Sequence, residues 1–345
     1  MRPCRLFLVF FIFFFLLPPI LLAQDAKYLD TAEKTKKFPV SGFIAFSLNT
    51  MIAESREYVC RYDAILSDLK WPLTPSASYT IHGGVYFPKG IHLEGNISFM
   101  QPMATAPMTD LDFEGILATP QQTGITKFSK HNCTIVNGLS WMAKLGLQLP
   151  MPQSAAMRSA GIAVTVEPML SFYYSKISWH SYGGYLQYAK IRPNGTYEPW
   201  SPALPKVPHI GSAVSYQQQL MIPAIGVAFE ATLPHKLTLL SDFHLTADIT
   251  AFAEDIHHAA NMRYIDILGG GWAMHGNLRL HWNCLPFVSV FVNLFYQYCI
   301  TMEGNSAFYS GITSTKPSFY TPPNSAGTFL RGCTCSIGCA FRIGR

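Results

Sequence analysis

What this sequence has least of is charge. Lys, Arg, Asp and Glu make up 13% of its 345 residues, against ~25% in ordinary soluble domains, while hydrophobic residues make up 49%. Arg2 and Arg5 carry two of the net +5 charges, and the rest are scattered. No basic patch therefore points to nucleic acid. Long apolar runs are also missing: beyond the N-terminus nothing approaches the ~20 apolar residues that a membrane helix needs. Cysteines number eight, one of them Cys4 near the start. The odd seven that remain exclude a complete disulfide framework. Cys333, Cys335 and Cys339 share one strand face with no histidine or carboxylate among them, so they read as small apolar side chains. No metal site and no cofactor is expected.

What is present begins with a leader. Arg2 and Arg5 precede the apolar run Leu6–Leu17, then Pro18-Pro19 and a small residue, Ala23, before polar Gln24-Asp25. The run is 12 residues long, too short to span a bilayer, and the order is that of a removable secretory signal. Residues 1–23 are expected to be cleaved, leaving 24–345 as one domain. An exported, apolar chain without membrane helices points to a closed barrel, because only helices and closed barrels satisfy every backbone group in lipid.

Alternation supports this. Ile91, Leu93, Ile97 and Phe99 oppose His92, Glu94, Asn96 and Ser98; Val288, Val290, Val292 and Leu294 oppose Ser289 and Asn293. Short proline-bearing turns at Phe87–Gly90, Leu149–Pro152, Leu233–Lys236 and Cys284–Pro286 alternate with long or polar connections near 57–62, 101–131, 191–209, 256–262 and 303–327. Nine connections join ten strands, read as 38–57, 62–86, 90–104, 132–149, 160–190, 209–232, 236–257, 262–284, 287–303 and 328–343. The fold class expected is all-β: a ten-stranded antiparallel transmembrane barrel of the bacterial outer membrane, short turns at the periplasmic end and long loops outside.

Polar residues with chemical potential gather at the loop end. Asp110 and Asp112 lie just past the third strand, in phase with its polar face, and Glu57 continues the polar face of Ser47 and Asn49. Asp255 and His257 end the seventh strand on the wrong parity for the lumen. A β-bulge between about Thr250 and Asp255 would turn them inward. Asp255 could then orient His257 as a general base for water, while the Asp110–Asp112 pair binds that water and shares protons. Each spacing also occurs in solvated loops, and loop carboxylates suit a hard cation such as calcium.

The chain resembles the omptins, ten-stranded outer-membrane aspartyl endopeptidases. Asp110-Leu111-Asp112 and Asp255-Ile256-His257 stand where that family has its catalytic Asp-x-Asp and Asp-x-His pairs at the extracellular rim. Ser67-Asp68-Leu69-Lys70-Trp71 is similar to its Ser-x-Leu-x-Trp, and Tyr216 to Gly226 is similar to its sixth-strand motif. The resemblance implies cleavage next to basic residues, with Glu57 as one of two acidic groups for a P1 arginine. The second position holds Ala253, beside Glu254. His131 matches a rim histidine, but Lys127 stands where an aspartate is expected. Glu57, Glu254 and His131 are thus the expected substrate-binding residues. The ending Gly344-Arg345 lacks the usual terminal aromatic.

The resemblance implies polypeptide substrates at the cell surface, a monomer, and contact with outer-membrane lipid, lipopolysaccharide included. The other reading is a non-enzymatic barrel, a small channel or surface adhesin. A ten-stranded interior is largely filled by side chains, which weakens the channel.

Overall fold

The computed structural model describes residues 40–61, 64–113 and 124–343; the leader expected at 1–23 lies outside them. Apolar-polar alternation produces one antiparallel sheet. In chain order it comprises β1 (Ser41–Arg61), β2 (Ala64–Pro72), β3 (Ser76–Tyr86), β4 (Ile91–Met100), β5 (Met103–Ala104), β6 (Met108–Phe113), β7 (Ile125–Leu147), β8 (Leu149–Pro150), β9 (Ala163–Tyr188), β10 (Val207–Pro208), β11 (Ser212–Leu233), β12 (Leu237–Thr246), β13 (Thr250–His257), β14 (Met262–Gly269), β15 (Ala273–Leu285), β16 (Val288–Tyr309), β17 (Phe319–Tyr320) and β18 (Ala326–Ile343). Segments that continue one another, as β12 does into β13, share one place in the sheet. The pairings form a ring through ten such places, closed where β18 returns antiparallel to β1 with Gly42 opposite Ile343.

The reversals at Phe87–Gly90, Leu149–Pro152, Leu233–Lys236 and Cys284–Pro286 share one end of the ring, with both ends of the described sheet. There Ser41 faces Tyr86, Ile91 faces Leu147, and Val288 faces Phe341. The second reversal is longer than its prolines suggest and holds α1 (Ala155–Ser159), capped by Ser154. Elsewhere the strands outrun the sequence reading. The third place extends to Phe113, not 104, and the fourth begins at Ile125, not 132. Asp110 and Asp112 therefore sit within a strand rather than past it. The polar composition of 101–131 resembles a loop because strands standing clear of lipid need no apolar face.

The outer face carries an apolar band. Ile44, Phe46, Leu48 and Ile52 on β1, Leu170 on β9, Ile225 on β11 and Val290, Val292 and Leu294 on β16 are all exposed. The stretch Ile44 to Ile52 matches the ~9–11 residues with which a tilted strand crosses a bilayer. Aromatic rings mark its upper edge: Trp141 lies 5.3 Å from Phe172 and 5.9 Å from Tyr174, and Trp272 lies 5.9 Å from Tyr298. Beyond that edge β11 turns to Gln219, Gln217 and Ser215, paired with Lys176, Ser178 and His180 of β9.

The inner face is layered. Near the tight turns, Lys144 Nζ donates to Asp242 Oδ2 at 2.7 Å, and His92 Nδ1 meets Glu167 Oε1 at 2.9 Å. Midway, Asn49 donates to Ser78 and Thr80 at 2.9 and 2.8 Å. Above these an apolar plug fills the ring, built on Trp71, Trp179, Tyr216, Met108, Ile135, Leu220 and Ile222, all fully buried. Trp71 stacks on Tyr216 at 5.2 Å, and Tyr216 on Trp179 at 5.7 Å.

The buried pair Lys144–Asp242 gives a stability test. Lys144→Met takes the ammonium from buried Asp242, leaving it His244 at 3.3 Å and Asn277 at 3.4 Å, and should cost ~3–5 kcal/mol, whereas Lys144→Met with Asp242→Leu should cost much less. Urea unfolding of the refolded protein in lipid reads both. A double variant as unstable as the single would disprove the pairing's role.

Candidate functional site

The site lies at the end of the ring opposite the tight turns, above the apolar band. Irregularity concentrates there. Register shifts occur at Val59/Cys60, Asp112/Phe113, Lys130/Asn132, Ser212/Ser215 and Cys299/Met302, as expected at a barrel rim. The shift at Ile135/Asn137 turns β7 over: Met142 and Lys144 face inward below it, Ser129, His131 and Cys133 above it. A second inversion falls between β12 and β13. Thr238 and His244 face inward on even parity, Ala251, Ala253 and Asp255 on odd. The break covers residues 247–249, earlier than the bulge expected between Thr250 and Asp255, and β13 itself pairs without interruption. Asp248, a lone acidic residue with no sheet partner to lose, lies in that break.

On one wall, Asp255 is 2% exposed and its Oδ2 lies 2.5 Å from His257 Nε2. The imidazole donates that N–H, leaving Nδ1 with the lone pair, and its side chain is 31% exposed. Burial depresses the His257 pKa, but the charge and hydrogen bond of Asp255 outweigh it, with a smaller pull from Asp110, and the net shift is upward. Tyr264 packs its ring edgewise against His257 at 5.7 Å.

On the facing wall, Asp110 is buried and accepts from Ser67 at 3.0 Å and Ser129 at 3.3 Å. Lys127 Nζ bridges the pair, 3.1 Å from Asp110 Oδ2 and 2.8 Å from Asp112 Oδ2. Burial and Asp110 raise the Asp112 pKa while Lys127 opposes them; burial lowers that of Lys127, but both carboxylates raise it further. The ammonium stands between the two carboxylates that the sequence pairs for sharing protons, and it opposes the rise in the Asp112 pKa.

Glu57 is 3% exposed and accepts from Trp71 Nε1 at 3.4 Å. Burial, then Asp255 and Asp266, push its pKa well up. His131 is buried one pair from Asp110 on β7, and its Nδ1 donates to the Gly183 carbonyl at 2.5 Å. Burial holds it below the usual histidine range. Glu254 is not part of the site. It shares the outer face of β13 with Phe252 and Ile256 and lies 3.8 Å from Arg263. Adjacency to Ala253 in sequence suggested a substitute carboxylate, but neighbouring strand residues point to opposite faces.

Two residues escaped the sequence reading in the roles they occupy. Lys127 registers there only as a departure, not as the partner of both aspartates. Asp266 is 4% exposed and pairs directly across from Ala253. Counting back from the turn after His257, where Met262 is its partner, would have found it.

The profile of the Omptin family matches residues 40–343. The crystal structure of the outer membrane protease OmpT from Escherichia coli is similar with a TM-score of 0.75 at 16% identity, covering 90% of this chain and 99% of that one. The outer membrane protein OprG from Pseudomonas aeruginosa scores 0.34 at 6% identity over 88% and 96% of the two chains. The attachment invasion locus protein Ail of Yersinia pestis scores 0.24 at 6% over 87% and 98%. No curated protein sequence matches.

Removing Lys127 tests the bridge. In Lys127→Met the two carboxylates repel without an opposing cation, so Asp112 should titrate at higher pH than in the wild type. Carbon-detected NMR of labelled aspartate reads the shift; an unchanged Asp112 titration would show that the ammonium does not set its charge.

Proposed function

The chain belongs to the omptin family, and from that premise we propose an outer-membrane endopeptidase in which an Asp-His pair activates water opposite an Asp-Asp pair. The observation that carries the reading is the 2.5 Å contact of buried Asp255 with half-exposed His257, across the mouth from Asp110 and Asp112. The ten places of the ring and the outer apolar band support a ten-stranded transmembrane barrel. The mouth with the site is assigned to the extracellular side, since short turns mark the periplasmic end of bacterial barrels. Residues 1–23 are assigned as the cleaved leader, and the barrel as a monomer in contact with outer-membrane lipid, lipopolysaccharide among it.

The mechanism is general-base hydrolysis. His257 Nδ1 takes a proton from a water as that water's oxygen attacks the scissile carbonyl, and Asp255 stabilises the imidazolium that forms. The carboxylate of Asp112, open to the mouth, helps to position the water. Lys127 adds a positive charge near the oxyanion that develops. His257 then returns its proton to the leaving amine. No step requires a metal or cofactor. The plug of Trp71, Tyr216 and Trp179 closes the lumen beneath the mouth, which disfavours the small channel.

The Asp255–His257 pair should behave as one device. His257→Ala and Asp255→Ala should each remove most peptide cleavage, and the double variant should be scarcely worse than His257→Ala. The base must be neutral, and Asp255 raises its pKa. Wild-type kcat/KM should therefore fall as pH drops through a value above the ~6.5 of free histidine, and Asp255→Asn should move that limb to lower pH. Equal cleavage of a peptide library by wild type and His257→Ala, or none by wild type in any lipid, would remove the endopeptidase and leave the non-enzymatic barrel.

A further inference from the structure

Asp255 has two carboxylate oxygens, and the hydrolytic mechanism occupies one of them. Oδ2 meets His257 Nε2 at 2.5 Å. Oδ1 is buried, in a residue 2% exposed, and accepts from no donor among the described residues. An acceptor left in that state costs free energy, so each such atom in a native fold calls for a partner. Glu57 is the group that reaches it. In the ring β18, β16 and β14 separate β1 from β13, so the two side chains meet across the lumen, with their carboxyl groups within hydrogen-bond reach of each other. Beneath them Trp71 is fixed by stacking on Tyr216 at 5.2 Å, and its Nε1–H donates to Glu57 Oε2 at 3.4 Å.

The surroundings of Glu57 decide which of the two carboxyls holds a proton. Its partners on β2 and β18 are Leu69 and Thr328, which carry no charge. The titratable groups that face it are Asp255 on β13, Asp266 and Tyr264 on β14, and Tyr216 on β11. All of these are acids. Lys127 is held on the facing wall by Asp110 and Asp112. Two carboxyls in contact and out of water do not both ionise readily. Asp255 has the imidazole of His257 beside it, which favours its anion, so the proton falls to Glu57. Burial first, then Asp255 and Asp266, push the Glu57 pKa well up in keeping with this.

We infer that Glu57 is a positioning residue for the Asp255–His257 pair, a protonated carboxyl that donates to Asp255 Oδ1 while it accepts from Trp71 Nε1. The inference rests on the endopeptidase reading for its consequence, but the hydrogen bond does not. Its first effect is geometric. With Oδ1 held from across the lumen, the plane of the Asp255 carboxylate is fixed, Oδ2 stays on Nε2, and Nδ1 of the imidazole keeps its aim. Its second effect is electrostatic. One negative charge, not two, then lies behind the base. An ionised Glu57 would add a second, raise the His257 pKa further and hold on the imidazole the proton that the leaving amine must receive. The Glu57 proton itself stays in place through the reaction. In that state Glu57 has no charge to offer a substrate cation, and its work is done through Asp255.

The test compares Glu57→Ala with Glu57→Gln in the refolded full-length protein in lipid. Glutamine has an N–H donor for Asp255 and a carbonyl acceptor for Trp71, so it mimics protonated glutamate at every pH. On a quenched peptide, Glu57→Ala loses a hydrogen bond to a charged group and should lower kcat about ten- to a hundredfold; Glu57→Gln should recover most of that loss. The pH profile separates positioning from a merely structural role. Wild type needs His257 neutral and Glu57 protonated, so kcat/KM should fall in acid and again in alkali as Glu57 ionises. Glu57→Gln should keep the acid limb and lose the alkaline one. Nitrogen NMR of histidine-labelled protein reads the contact without turnover: the His257 ring should show a second, alkaline inflection in wild type and none in Glu57→Gln. A Glu57→Gln variant as slow as Glu57→Ala, or one that keeps the alkaline limb, overturns the inference and leaves the endopeptidase intact. The expected pair of NMR titrations without cleavage by wild type overturns the endopeptidase and leaves the hydrogen bond.

Discussion

Everything in this molecule follows from closing an antiparallel ladder on itself. A strand that meets lipid has no water to satisfy its backbone, so each N–H and C=O must go to a neighbouring strand, and no edge can remain. The return of β18 to β1, in register from Gly42–Ile343 to Val59–Ala326, supplies that condition. Closure then fixes an inside and an outside for every residue, because side chains alternate. Within the apolar band parity is unforgiving: a one-residue slip would put Asn49 or His82 into lipid and Leu48 or Ile81 into the lumen.

Above the band the same ladder continues without that penalty. Water can satisfy the outer face, so shifts in register cost little, and the chain uses them to choose which side chains enter the mouth. The inversion at 247–249 turns Asp255 and His257 inward; the one at Ile135/Asn137 turns Ser129 and Lys127 toward Asp110. This explains what could be read from sequence. Asp110 keeps the phase of β4 across the breaks that separate β4, β5 and β6, and the banded strands, the turns at one end and the inward phase of Glu57 were legible because a two-residue period held without interruption. The extension of β6 and β7 was not, since polar strands in water look like loops. Glu254 and Asp266 illustrate the same limit. One is adjacent to Ala253 along the chain and faces away; the other is thirteen residues on and faces it, and only the hairpin register distinguishes them.

The charges of the mouth divide by partner. Lys127 bridges Asp110 and Asp112 on one wall, and on the other the His257 ring N–H donates to Asp255. A lysine in place of an acidic residue would be ruinous to a site that depended on free negative charge at that wall. Here its ammonium bridges both carboxylates and opposes the upward push of burial on the Asp112 pKa, while Glu57 and Asp266 lie buried on the other side.

Such a cluster is expensive, and the fold places its cost where it can be carried. Buried carboxylates without cations destabilise whatever holds them, and a small soluble domain could ill tolerate Glu57 and Asp266 within one mouth. In this barrel the stability resides lower down, in the closed ladder, the lipid-facing band and the plug of Trp71, Tyr216 and Trp179. The plug serves both ends. It seals the polar core of Lys144, Asp242 and His244 from the mouth, and its upper surface is the floor on which Glu57 is oriented by the Trp71 indole. The plug thus separates the polar core from the mouth. The interior is therefore organised around what sits above it.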